Sequence, residues 1–231
     1  MDLIYCADGN RRFAQIAIEH GYLYGAQLPN TVYFPPWFAD QNWKKPNRTA
    51  YMTALAQHRP YMASVLDLER EEQLGEVLSW AEEAAQYVEV VMIIPKVFGI
   101  IPSIPRRIGG ADVRLGYSVP TKFGGTEVPT WEFSGWPVHL LGGSPNAQMH
   151  LTHYMDVRSV DGNLAQRMAT MYCSFYDPSR RTSKGRWATI NDYDGRPWGG
   201  DAGANDAPYE AFRRSCESIV REWQRIGIRE A

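Results

Sequence analysis

The run Asp-Gly-Asn occurs twice in this chain, as Asp8-Gly9-Asn10 and as Asp161-Gly162-Asn163. Each copy follows a short apolar stretch, Leu3 to Cys6 or Val157 to Val160, and precedes a segment with helical spacing. An Asp at the carboxyl end of a buried strand faces the open end of a parallel sheet or barrel, where α/β enzymes keep their chemistry. Glycine permits the sharp turn that follows, and Asn is a favoured helix N-cap. Plain βα turns use the same residues for local reasons, so the device gains meaning from what other strand ends carry.

Those ends carry Gln27, Asp67 with Glu69, Lys96, Ser118, and Gly142 with Gly143 and Ser144, besides Asp8 with Asn10 and Asp161 with Asn163. Three aspartates from three strands suit general acid/base work, covalent catalysis or recognition of a donor-rich heterocycle. Asp67 has a simpler reading as a charge favoured at a helix N-terminus. In Leu140-Leu141-Gly142-Gly143-Ser144-Pro145 a strand meets a glycine pair and a Pro suited to a first helical turn. Such a turn offers backbone N–H groups to an anion or a ligand edge.

Other chemistries lack their residues. His20, His58, His139, His150 and His153 are scattered, and His150-x-x-His153 has no cysteine or carboxylate pattern typical of zinc, so no metal and no cofactor is expected. The phosphate loop Gly-x-x-x-x-Gly-Lys-Ser/Thr and the Gly-x-Ser-x-Gly elbow are missing. Cys6, Cys173 and Cys216 are odd in number and widely spaced, which points to reduced, buried thiols.

Strands are expected at Leu3–Cys6, Tyr22–Ala26, Met62–Leu66, Glu89–Ile94, Val113–Ser118, Val138–Leu141 and Val157–Val160, with an eighth near Trp187–Ile190. Helical spacing marks 11–19, 48–58, 70–87, 146–155, 163–175 and 208–226. Strands spaced by helices argue for parallel βαβ units. Eight of them match a single (β/α)8 TIM-type barrel over residues 1–231, the alternative being a doubly wound sheet. The Pro- and Gly-rich stretches 28–47, 98–112, 119–137 and 176–208 are too long for plain connectors and read as functional loops.

A chain of 231 residues and 44% hydrophobic content suits one sizeable core, and no apolar run approaches a membrane span. A soluble, cytoplasmic protein is expected. The net charge of −2 gives no global pull toward nucleic acid, so any such binding needs a local patch. The best is Arg180-Arg181-Thr182-Ser183-Lys184-Gly185-Arg186-Trp187, whose cations suit phosphates and whose Trp187 suits a stacked base; Lys44-Lys45 and Arg106-Arg107 come next.

Across residues 62–169 the order of motifs resembles the tRNA-guanine transglycosylases, and more closely their DpdA-type relatives of phages and bacteria, which place 7-deazaguanine bases in DNA. The motifs are Asp67-Leu68-Glu69, Ser79-Trp80-Ala81-Glu82-Glu83-Ala84, Val90-Val91-Met92-Ile93-Ile94-Pro95-Lys96, Leu115-Gly116-Tyr117-Ser118, Val138 to Pro145 and Ser159-Val160-Asp161. The resemblance implies a (β/α)8 barrel in which Asp161 attacks C1′ of the nucleotide, Asp8 is the acid/base and Asp67 reads the incoming base. It also places Gly142-Gly143 against substrate. The family's Asp-Ser-Gly-Gly-Phe-Gln is replaced by Asp-Gly-Asn, its Gln-Gly-Gly by Pro95-Lys96-Val97, and its structural zinc motif is missing. These departures argue against full tRNA binding and leave room for a DNA substrate or another nucleoside-like one. The same residues also fit a barrel glycosidase or nucleoside hydrolase, and the basic loops alone fit a non-catalytic nucleic-acid-binding barrel.

Overall fold

The segment Val90–Pro95 is buried at every position, as a strand covered on both faces requires. It is β5 of a computed structural model that describes residues 1–6, 10–122, 124–180, 186–190 and 206–229. The strands in chain order are β1 (Asp2–Cys6), β2 (Leu23–Leu28), β3 (Phe38–Gln41), β4 (Met62–Leu68), β5, β6 (Arg107–Ile108), β7 (Ala111–Ser118), β8 (Pro137–Leu141), β9 (Asp156–Asp161), β10 (Ser174–Tyr176) and β11 (Trp187–Thr189). Helices are α1 (Arg11–Glu19), α2 (Arg48–His58), α3 (Leu74–Ala84), α4 (Pro145–Leu151), α5 (Leu164–Tyr172) and α6 (Ala207–Arg229).

The sheet runs β5-β4-β3-β2-β1-β9-β8-β7, and β5 also pairs with β7, so eight parallel strands close on themselves. This is the expected (β/α)8 barrel, with single-turn 3₁₀ segments standing for helices between β5 and β8. The eighth strand is not the one expected. Trp187–Thr189 pairs antiparallel with β10 in a separate two-stranded sheet, and Phe38–Gln41 takes the barrel position, inside a stretch that reads as a loop. Pro35-Pro36 just ahead and only four residues of strand hide it from a periodicity reading.

Chain contacts divide the molecule into two compact units, Met1–Gly9 with Leu23–Gly162, and Asn10–Tyr22 with Asn163–Ala231. All eight barrel strands lie in the first. In the second, α1 and α5 pack on α6, with Phe13 against Tyr209 and Phe212. Cys216 is buried, and Cys6 and Cys173 are partly buried free thiols.

Inside the barrel, Ile4, Phe38, Met62, Val90, Met92 and Ile94 form the apolar floor. A Cβ on Gly116 would come within 2.7 Å of Ile94 Cγ1 and 2.9 Å of Leu141 Cδ1, so β7 needs glycine there to let the floor close. The register of β4 against β5 shifts between Ser64 and Asp67. Strict alternation from Met62 and Ser64 would turn Leu66 inward. The bulge instead sets Asp67 opposite Ile94 and brings the carboxylate to the interior face, a use of bulges common beside active sites.

Candidate functional site

Above the apolar floor the carboxyl ends of the strands turn polar. Asp161 ends β9 with its side chain 12% exposed. Its Oδ1 accepts a hydrogen bond from the Gly142 N–H at 3.0 Å, so that N–H serves the carboxylate. Gly142 and Gly143 follow β8 with φ of 67° and 81°, a region side chains avoid, and a Cβ on Gly143 would strike Val119. Gln148 on α4 donates to both the Gly142 and Asp161 carbonyls, at 2.7 and 2.6 Å, which ties the two strand ends together. Ser144 caps α4 by accepting from the Ala147 N–H.

Asp67 and Lys96 meet as expected of neighbouring strand ends. Lys96 Nζ lies 3.4 Å from Asp67 Oδ2 and donates to Ser118 Oγ at 2.9 Å. Burial raises the Asp67 pKa, opposed by the Lys96 charge and hydrogen bond. An acceptor, a cation and a hydroxyl therefore stand side by side at the ends of β4, β5 and β7.

The residue that sequence reading missed is Asp40, near the end of β3. It pairs in register with Gln27 of β2, and its Oδ1 accepts from Ser64 Oγ at 3.0 Å. Ser64 in turn accepts from the Gln41 N–H. Burial pushes the Asp40 pKa up from 3.8 to about 7, with the charge of Asp161 adding to the rise, then that of Asp67, against the Ser64 hydrogen bond. The three carboxyl groups share one electrostatic environment at one end of the barrel. The signal for Asp40 was present as Trp37-Phe38-Ala39 followed by an acid, the same apolar-run-then-Asp pattern that marks Asp67.

Asp8 lies outside the described residues, as do Arg181 and Lys184. Asn10 caps α1 by accepting from the Arg12 N–H, and its amide donates to Tyr209. Asn163 starts α5 without a side-chain cap bond, so the second Asp-Gly-Asn does not cap its helix as the first does. Both asparagines belong to the second unit. There too Arg186 hydrogen-bonds Tyr176 and Trp187 packs edge-on against it, so this end of the basic stretch is anchored in the β10–β11 sheet. His150 and His153 are exposed. Among the described residues no three His, Cys, Asp or Glu side chains gather as a metal site would require.

Fold and site together define a closed (β/α)8 barrel whose mouth is built from strand-end aspartates. The chain belongs to the family of unknown function DUF6610, whose model matches residues 17–224. Comparison with curated proteins and with solved structures finds no match. No helix among the described residues is long and apolar enough to cross a membrane.

Proposed function

We propose that this protein is an enzyme of glycosidic-bond chemistry, exchanging guanine for a 7-deazaguanine-type base in nucleic acid, DNA in the first instance. The observation that carries the reading is the pair Asp161 and Asp40: one carboxyl group fixed by a backbone N–H, the other raised to about 7 by burial and then by the charge of the first. A carboxyl group held in place and a second one poised to exchange a proton divide into a nucleophile and an acid/base.

In this scheme Asp161 attacks C1′ as the bond to the departing guanine breaks, and the Asp40 carboxyl gives its proton to that base. The incoming base then returns a proton to Asp40 and displaces Asp161 from C1′. Two displacements retain configuration at the sugar. Asp40 takes the acid/base role here because a group poised near neutrality both gives and takes a proton. Asp67, Lys96 and Ser118 match the edge of a guanine-like base, which offers N–H donors to a carboxylate and a carbonyl to an ammonium. Such a base reaches the barrel mouth from a single strand or by flipping out of a duplex.

Single- and double-stranded DNA incubated with labelled guanine or a 7-deazaguanine base provides the test. Label should enter DNA with wild-type protein, and Asp161→Asn should fold normally yet lose exchange by several orders of magnitude. Near-normal turnover by Asp161→Asn would overturn the reading. Abasic sites or free sugar without exchange would move it to hydrolysis by the same carboxyl pair.

A further inference from the structure

Beneath Asp161 the barrel holds a chain of polar groups that the proposed reaction does not use. Arg114 on β7 donates from Nη1 to Ser159 Oγ at 2.8 Å. Ser159 on β9 lies 2.7 Å from Nδ1 of His139 on β8. His139 and Ser159 are fully buried, and Nε2 of His139 has no hydrogen-bond partner. That nitrogen stands 3.8 Å from Asp161 Oδ2, the oxygen left over when Gly142 N–H takes Oδ1.

The direction of the chain follows from donor chemistry. A guanidinium only donates, so Ser159 Oγ accepts from Arg114; a hydroxyl oxygen has room for a second donor, but among the described residues the one acceptor for this buried O–H is His139 Nδ1, and the O–H is satisfied only by donating there. A ring that accepts at Nδ1 carries its hydrogen on Nε2, and this assignment rests on the network, as histidine tautomers do. The Nε2–H then faces a carboxylate oxygen across a short gap. A buried donor left without a partner is costly, and among the described residues the carboxylate it faces is Asp161, with Oδ2 3.8 Å away. The Phe38 ring covers one side of the imidazole with centroids 5.3 Å apart, the charge of Asp161 acts on Asp40 of β3, and the charges of Asp2, Asp156 and Arg158 act on Arg114 at the far end of the chain.

We propose that His139 is a positioning residue for Asp161, its tautomer set by Arg114 through Ser159, so that the Gly142 N–H bonds Oδ1 while the Nε2–H, 3.8 Å away and short of a hydrogen bond, orients Oδ2 electrostatically. This role in turnover rests on Asp161 being the nucleophile, whereas the tautomer and its link to Asp161 do not. No proton is transferred; the imidazole turns the donor end of its Nε2–H toward Oδ2 and so fixes the plane from which Asp161 approaches C1′.

The test is nitrogen NMR on protein labelled in its histidine rings, with His139→Gln identifying the His139 signals. At neutral pH a bare nitrogen is expected at Nδ1 and a protonated one at Nε2. Asp161→Asn should move the Nε2 resonance, and Ser159→Ala should abolish the single-tautomer pattern. A ring protonated at Nδ1 or at both nitrogens, or an Nε2 signal indifferent to Asp161→Asn, overturns the proposal. In the exchange assay His139→Phe should lower kcat roughly ten- to a hundred-fold with KM little changed, and His139→Gln, which keeps an N–H near the same place, should recover most of it. Equal losses in both variants, or a loss confined to KM, would refute positioning. Wild-type protein without any exchange would sink the transglycosylase reading instead, and the ring measurements would still decide the link to Asp161.

Discussion

Asp40 has its ordinary acidity changed by where it sits, and that change has a sign. Its pKa rises from 3.8 to about 7 because burial and the neighbouring Asp161 disfavour its charged form. Between those values the folded protein keeps a proton that the unfolded chain has released, so this group's contribution to stability is full below about pH 4 and falls away as pH rises through about 7. Asp40→Asn should therefore flatten the decline of stability across that window, read as urea midpoints from about pH 4 to about pH 8. The same variant should abolish base exchange, because an amide neither gives nor takes the required proton. Asp67 makes a different prediction. Asp67→Asn replaces an acceptor by a mixed donor and acceptor beside Lys96, and should shift the preference among competing purine-like bases by about ten-fold or more while leaving the fold intact. Competition between labelled guanine and adenine checks it, and unchanged selectivity would remove Asp67 from base reading.

At the scale of elements, the site depends on how closely β7, β5 and β8 approach. Gly116 is the point of contact, and its missing side chain leaves room for Ile94 and Leu141. Gly116→Ala inserts a methyl group into a packed interior and should destabilise the protein by about 1–3 kcal/mol in chemical denaturation. Because Ser118 lies two residues beyond Gly116 on β7, and Lys96 two beyond Ile94 just past the end of β5, the variant should also weaken base binding. A stability loss below about 0.5 kcal/mol would mean that the floor is looser than these contacts imply.

For the whole molecule, the net charge of −2 leaves nucleic-acid affinity to a local patch. Replacing Arg180, Arg181, Lys184 and Arg186 by Ala should weaken DNA binding and flatten its dependence on salt, since phosphate contacts act through counterion release. Arg186 also hydrogen-bonds Tyr176, so the single variant Arg186→Ala should cost some stability that Arg180→Ala does not. Binding of a free base should survive all four replacements, because Asp67 and Lys96 belong to the other compact unit. A salt slope identical to wild type, measured by fluorescence anisotropy, would place the contact elsewhere, with Lys44, Lys45, Arg106 and Arg107 the next residues to replace.

Local pattern alone determined seven of the barrel strands, the helices between them and the placing of Asp67 and Asp161 at strand ends, because apolar periodicity and flanking turn residues are written within a dozen residues of chain. The parallel barrel followed from their alternation. Tertiary structure decided the rest. Phe38–Gln41 becomes a strand only because β2 and β4 supply partners on either side, and with it Asp40 enters the site. Asp67 faces inward only through a bulge against β5, which no count of alternating residues foretells. His139 looked like one scattered histidine among five. Its orphaned nitrogen acquires meaning when β8 and β9 lie side by side and set it against Asp161. Periodicity is a property of neighbours in sequence, whereas register, closure and the sharing of charge among carboxyl groups belong to residues that only folding brings together.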